Sequence, residues 1–352
     1  MQYTTFGRRT GLRVSEVALG TGNFGTGWGH GAERGEAKSM FDGYAAAGGN
    51  FIDTANGYQG GQAEEMAGDF IAADRDHFVL ATKYTLGVTG NEGVSRTGNS
   101  RKAMIQSVEA SLKRLKTDRI DLLWTHFSDE QTPMEEILRA FDDLVRSGKI
   151  LYAGLSNFPA WRVARADLMA ELRGWSPIIG VQMEYSLAER SADRELLPMA
   201  DALGLGGALW SPLGGGVLTG KYRNNEGGRL QAFGGMLFRD EKDQRISATV
   251  DAVLAVAAEA DAAPTHVAIA WLLERGRRSA TSLVPILGPR SRAQLDGTLG
   301  ALALKLSDAQ YARLSAASAV PLGAPYESAA GAASGIAGGQ PELLLPAKFP
   351  VA

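Results

Sequence analysis

The chain has 352 residues, with 36 Lys and Arg against 39 Asp and Glu, a formal net charge of −3. That balance excludes the broad basic field of a general nucleic-acid or membrane-surface binder, and 45% hydrophobic with 21% charged residues excludes wholesale disorder. The absence of cysteine removes disulfides, thiolate metal sites and cysteine nucleophiles together; with no apolar leader over residues 1–6 and no run of about 18 apolar residues, the chain reads as cytoplasmic, without a membrane span.

In chain order, residues 3–6 and 12–14 around a turn at 8–11 predict a small hairpin. Eight short apolar runs follow, at 17–19, 51–52, 78–81, 122–124, 152–155, 178–181, 207–210 and 283–286. Helical stretches lie between them. Residues 36–47 form one. Residues 102–115 form another, with Ala103, Ile105, Val108, Leu112 and Leu115 as its apolar stripe. Residues 134–147 follow Thr132 as cap and Pro133 as first helical residue, and stop at Gly148. Residues 247–260, 265–275 and, behind a Ser307 cap, 308–317 complete the set.

Alternating strands and helices predict a parallel α/β sheet, and eight strands close a (β/α)8 (TIM) barrel. We read residues 1–320 as a single barrel with an N-terminal β-hairpin, and 218–245 as a long loop after the seventh run. Residues 321–352 read as an Ala/Gly/Pro-rich tail, whose low-complexity tract at 328–339 is either mobile or laid over the barrel mouth. The 44 glycines, well above the usual share of about 7%, imply many tight turns.

Two glycine motifs mislead. Gly20-Thr21-Gly22-Asn23-Phe24-Gly25 has the dinucleotide-fingerprint spacing, but the chain runs on as loop where that fingerprint needs a helix. Gly215 to Lys221 nearly matches a Walker loop, but Tyr222 stands where the magnesium-binding Ser or Thr belongs.

The chemistry gathers at strand ends. Asp53, Lys83 and His126 follow successive apolar runs, and Tyr58 sits on the loop just past Asp53. In a closed barrel these ends share one face. A phenol is a poor proton donor at neutral pH; a nearby ammonium stabilises its phenolate, and a buried ammonium needs a counter-charge. Tyr58, Lys83 and Asp53 therefore suit a tuned acid, with His126 orienting a carbonyl oxygen. That set would serve carbonyl reduction if a bound nicotinamide supplied hydride. Two rivals stay open: a Schiff-base lyase using Lys83 as nucleophile, and a regulatory barrel that binds NADPH. A metal site is disfavoured, because His126 and Asp129 have no further histidine or cysteine nearby.

The stretches Phe51-Ile52-Asp53-Thr54-Ala55-Asn56-Gly57-Tyr58, Ala81-Thr82-Lys83-Tyr84, Ser111-Leu112-Lys113-Arg114-Leu115 running on to His126, and Gly154-Leu155-Ser156-Asn157-Phe158 resemble the aldo-keto reductase family over about residues 1–320. The resemblance implies NADP(H)-dependent reduction of an aldehyde or ketone, a small-molecule substrate, with Tyr58 as acid, Lys83 and Asp53 as its tuning pair and His126 holding the carbonyl. It implies Ser156, Asn157 and Gln182 on the nicotinamide amide, Trp210 stacked on its ring, and Gly20, Thr21 and Asp53 beside its ribose. Ser211, Leu213, Gly214, Gly215, Gly216, Leu218 and Lys221 resemble a diphosphate loop. Gly288 and Arg290 resemble an adenosine-phosphate segment, with Gln294 and Thr298 facing adenine. Phe24, Trp28, Tyr84, Phe127 and Phe158 are the expected pocket walls. No oligomeric state follows from the sequence.

Overall fold

The computed structural model describes residues 1–224 and 241–345. Strands β1 (Tyr3–Thr5) and β2 (Arg13–Ser15) pair antiparallel as the hairpin. The eight apolar runs become β3 (Ala18–Gly20), β4 (Phe51–Asp53), β5 (Val79–Tyr84), β6 (Ile120–Thr125), β7 (Ile150–Ser156), β8 (Ile178–Glu184), β9 (Gly206–Trp210) and β10 (Leu283–Leu287). They form one closed parallel barrel, with β10 pairing to both β9 and β3.

Side-chain alternation divides the core into two layers. Phe51, Val79, Ala81, Leu122, Trp124, Ala208 and Val284 fill the lumen together with Phe6 from the hairpin. The intervening residues, Ile52, Leu80, Tyr84, Leu123, Leu155 and Leu209, face the surrounding helices. Phe6 plugs the lumen with ring centroids 5.6 Å from Phe51 and 6.1 Å from Trp124. Room for these rings comes from two glycines: a Cβ on Gly180 would lie 2.4 Å from Phe6, and one on Gly154 would lie 2.3 Å from Trp124.

Several boundaries differ from the sequence reading. Thr132 does not cap its helix; its hydroxyl donates to Asp129, and Pro133 takes the cap position before Met134–Arg146. The helix expected at 247 begins as Gln244–Glu259, capped by the Asp243 carboxylate. Helices Gln62–Ile71, Ala160–Arg173, Leu196–Leu203 and Arg292–Leu299 complete the outer ring. The low-complexity tract contains a helix, Tyr326–Ile336, with no buried residue. Of the long loop expected over 218–245, the start forms 3₁₀ turns Gly214–Thr219 and Lys221–Asn224, and 225–240 lie outside the described residues, as do the last seven of the tail. Among the described residues no helix is long and apolar enough to cross a membrane.

Candidate active site

Asp53 ends β4 and Lys83 lies one residue short of the end of β5. Lys83 shares the lumen-facing parity of Val79 and Ala81, so its ammonium is carried inside the barrel, where it is fully buried. Its three donor bonds are all used: Nζ donates to Asp53 Oδ2 at 2.5 Å, to the Thr54 carbonyl at 2.8 Å and to Tyr58 Oη at 3.2 Å. The second Asp53 oxygen accepts from Gln182 Nε2 at 2.8 Å. Burial works against the charged lysine, but the Asp53 carboxylate and the Tyr58 phenol outweigh it and hold its pKa above the ordinary value. Lys83 is therefore held as an ammonium with all three of its N–H bonds engaged, an arrangement that favours a charge-stabilising role over a nucleophilic one.

His126 follows β6, and its ring centroid lies 6.0 Å from that of Tyr58. Burial first, and the Lys83 charge second, push its pKa down to about 3. The imidazole is thus neutral near pH 7, with one N–H to donate. Its Nδ1 is buried and makes no hydrogen bond within the described residues. Backbone bonds fix the ring's location: His126 N donates to Tyr84 O at 3.1 Å and to Thr85 Oγ1 at 3.2 Å. Thr85 adopts φ 107°, an outlier for a β-branched residue. Its hydroxyl donates to Asn99 Oδ1 at 2.7 Å, and Asn99 Nδ2 donates to the Phe127 carbonyl at 2.8 Å. Neither Thr85 nor Asn99 was singled out from the sequence, since their loop has no periodic pattern.

Tyr58 and His126 open onto a cavity of about 670 Å³, within the usual range of ligand pockets. Of the residues expected at a cofactor, Gly20, Asp53, Asn157, Gln182, Trp210, Ser211, Leu213, Gly214, Gly215, Gly216, Lys221, Gly288, Arg290, Gln294 and Thr298 line it. Three do not. Thr21 is buried behind the wall, its hydroxyl donating to Asp53 O at 3.2 Å. Ser156 is buried and accepts from Asn157 Nδ2 at 3.1 Å. Leu218 is fully buried in the hydrophobic core.

The expected walls divide similarly. Phe127 lines the cavity; Trp28 is not among its lining residues but packs edge-on to Tyr58 with centroids 5.9 Å apart. Phe24 and Tyr84 are instead core residues, Phe24 packed on Phe70 and Tyr84 facing the helix layer. Parity decides the second case, because the neighbour of an inward Lys83 must point outward. Phe158 is buried too, under the Arg162 guanidinium at 5.2 Å. Wall residues absent from the sequence reading include Asn23, Glu184 and Thr265. Glu184 was findable, standing two residues after Gln182 on the same strand face; Thr265 carries no local signal.

The two ends of the cavity suit different ligand groups. Near Tyr58, Asn157 bridges the walls: its Nδ2 donates to His126 O at 2.9 Å and its Oδ1 accepts from Trp210 Nε1 at 3.2 Å. At the far end Gly214, Gly215 and Gly216 run with φ of 56°, 70° and 99°, a turn that glycine alone adopts without strain. Arg290 also lines the cavity, with a buried Nη2 that has no hydrogen-bond partner within the described residues. An orphaned guanidinium N–H in the cavity wall is a donor that an anionic, phosphate-bearing group satisfies.

The model of the Aldo/keto reductase family matches residues 16–319. A norsolorinic acid reductase of Aspergillus flavus is 37% identical over 324 residues, covering 90% of this chain and 80% of the relative. An uncharacterized oxidoreductase, YrpG, of Bacillus subtilis is 38% identical over 315 residues, covering 87% of this chain and 92% of the relative. An aryl-alcohol dehydrogenase (NADP(+)) of Phanerodontia chrysosporium is 36% identical over 337 residues, covering 90% and 86%. A match across nearly the whole barrel, joined to the site at its mouth, makes this chain a member of the aldo/keto reductase family, oxidoreductases that work with a nicotinamide cofactor.

Proposed function

We propose that the protein is an NADP(H)-dependent reductase that converts an aldehyde or ketone to its alcohol, with Tyr58 as proton donor. The observation that carries this reading is the phenol lying 3.2 Å from a fully buried, Asp53-paired ammonium. The reduced nicotinamide, when bound, supplies hydride to the carbonyl carbon.

The chain's own groups do the rest. The carbonyl oxygen gains negative charge as its carbon is reduced, and Tyr58 Oη gives it a proton. The Lys83 ammonium stabilises the phenolate left behind, and Asp53 keeps that ammonium in place without a net buried charge. The neutral His126 N–H donates to the same carbonyl oxygen and fixes its direction. Arg290 and Lys221 would hold phosphate groups, with Arg290 reading the 2′-phosphate that distinguishes NADPH from NADH. Asn157 and Gln182 would meet the nicotinamide amide, and the Trp210 indole its ring. Ser156 would act only through Asn157, Thr21 only through Asp53, and Leu218 only by packing the phosphate loop. Residues 1–320 would act as one catalytic unit.

Aromatic side chains surround the phenol: Trp28 and His126 each pack edge-on to it, and His126 is itself stacked on Phe127 with 4.6 Å between centroids. An aryl carbonyl fits such walls, and the name of the aryl-alcohol dehydrogenase relative agrees with it. The test is consumption of NADPH, followed by its near-ultraviolet absorbance, with a panel of aromatic and aliphatic aldehydes and ketones. Turnover with an aryl carbonyl is expected. NADPH that binds tightly yet is never consumed with any of them would instead favour a sensor.

A further inference from the structure

Between β3 and the helix Arg34–Ala46 runs a glycine-rich loop that carries Trp28. Its base is tied by its own backbone: Gly25 N donates to Ala32 O at 2.9 Å and Ala32 N to Asn23 O at 2.7 Å. The tip is held from outside, by two glutamines next to Tyr58. Trp28 N donates to Gln59 Oε1 at 3.0 Å, Gln59 Nε2 donates to Gly22 O at 2.9 Å, and Thr26 N donates to Gln62 Oε1 at 2.9 Å.

Gln59 is unusual on two counts. It is fully buried, and its backbone sits at φ 52° and ψ 35°, a left-handed conformation that glycine adopts more readily. The loop also closes on it without slack: a Cβ on Gly27 would lie 2.3 Å from the Gln59 carbonyl oxygen. Glycine at 59 would relieve the backbone. What glutamine adds is an amide that reaches two backbone groups of the neighbouring loop. The tip of that loop presents Trp28, 44% exposed, edge-on to Tyr58 at 5.9 Å and 78°. Tyr58 itself is held separately, by Lys83.

We propose that Gln59 is a positioning residue: it clamps the glycine-rich loop to the turn that carries Tyr58, so that Trp28 stands as a fixed wall against the ring of an aromatic carbonyl substrate. The inference rests on the carbonyl-reductase reading above. Loss of the Gln59 amide frees the wall and leaves the acid in place.

Gln59→Gly removes the amide while easing the backbone, so the fold is retained. In that variant KM for benzaldehyde should rise roughly three- to tenfold, the worth of one aromatic contact. The kcat, the KM for propanal and the Kd for NADPH should stay within about twofold of the parent. Trp28→Ala should give the same rise, and the double variant no more than Trp28→Ala alone, since coupled residues do not add. A second readout needs no turnover: the tryptophan emission that disappears in Trp28→Ala should become more accessible to acrylamide in Gln59→Gly. Parent-like KM for benzaldehyde, equal rises for both aldehydes, additive effects in the double variant, or unchanged acrylamide access would each overturn the clamp. A parent protein that turns over neither aldehyde would overturn the reductase reading instead, and the acrylamide result would still decide the clamp.

Discussion

The two ends of the cavity satisfy their charges differently. At the carbonyl end, the Lys83 ammonium is fully buried and neutralised within the chain by Asp53, which Gln182 also engages. At the end where a phosphate is proposed to bind, Arg290 keeps a buried N–H that has no hydrogen-bond partner within the described residues. The difference is the one expected from what each end is proposed to meet. On the proposed reading, the ammonium beside the acid must be in place before substrate arrives, so its counter-charge is built into the fold. A phosphate brings its own charge, so the receiving cation can stay unpaired. Changes at the first end should therefore disturb stability and chemistry together, and changes at the second should disturb ligand affinity alone.

The largest break in that contrast is Lys83→Met. It leaves the Asp53 carboxylate buried without its partner, which should lower stability by about 3–5 kcal/mol. Turnover should fall by roughly a thousandfold with it, read by a denaturant midpoint and an NADPH-consumption assay. A variant as stable as the parent would show that the pair is not needed by the fold. Arg290→Ala comes next. Loss of a charge-assisted contact worth about 1.5–3 kcal/mol should weaken NADPH roughly ten- to hundredfold, with NADH affinity and the melting temperature unchanged. Equal losses for both cofactors would take the 2′-phosphate role from Arg290.

Smaller effects sharpen the carbonyl end. Asn99→Ala removes the acceptor of the Thr85 hydroxyl and the donor to the Phe127 carbonyl, so a loss of about 1–3 kcal/mol of stability is expected, with a several-fold fall in kcat from a looser His126. An unchanged kcat in a destabilised variant would make the brace purely structural. The pH dependence is subtler. The His126 pKa is about 3 in the folded chain against about 6.5 unfolded. Between those values the unfolded chain takes up a proton that the native one refuses, so stability should fall as pH drops from about 6.5 toward about 3. His126→Gln should lose that part of the slope, seen by comparing melting temperatures of the two proteins from neutral pH downward. Identical slopes would mean that His126 takes up its proton as readily in the folded chain as in the unfolded one.

The sequence exposes the grouping of Asp53, Tyr58, Lys83 and His126 because barrel topology converts strand ends into neighbours: Asp53, Lys83 and His126 follow successive runs. It also exposes the barrel itself, since eight apolar runs need only alternate with helices. It hides what depends on side-chain direction. Tyr84 looked like a wall until the parity of β5 turned it outward, and Phe24 belongs to the layer beneath the loop. It hides Gln59, Thr85 and Asn99 as well, because their roles lie in hydrogen bonds to backbone of other segments, which no spacing announces. The helix Tyr326–Ile336 was missed for another reason: its glycines and small residues give no amphipathic signal, and none of it is buried.

The most direct measurement is a comparison of Tyr58→Phe with the parent for NADPH affinity and for turnover of an aryl aldehyde. Removing one hydroxyl should leave the Kd for NADPH within about twofold and lower kcat by roughly a hundred- to ten-thousandfold, the range that a positioned acid supplies. Turnover within about tenfold of the parent would contradict the assignment of the proton to this phenol, and with it the account of why Lys83 and Asp53 are buried beside it.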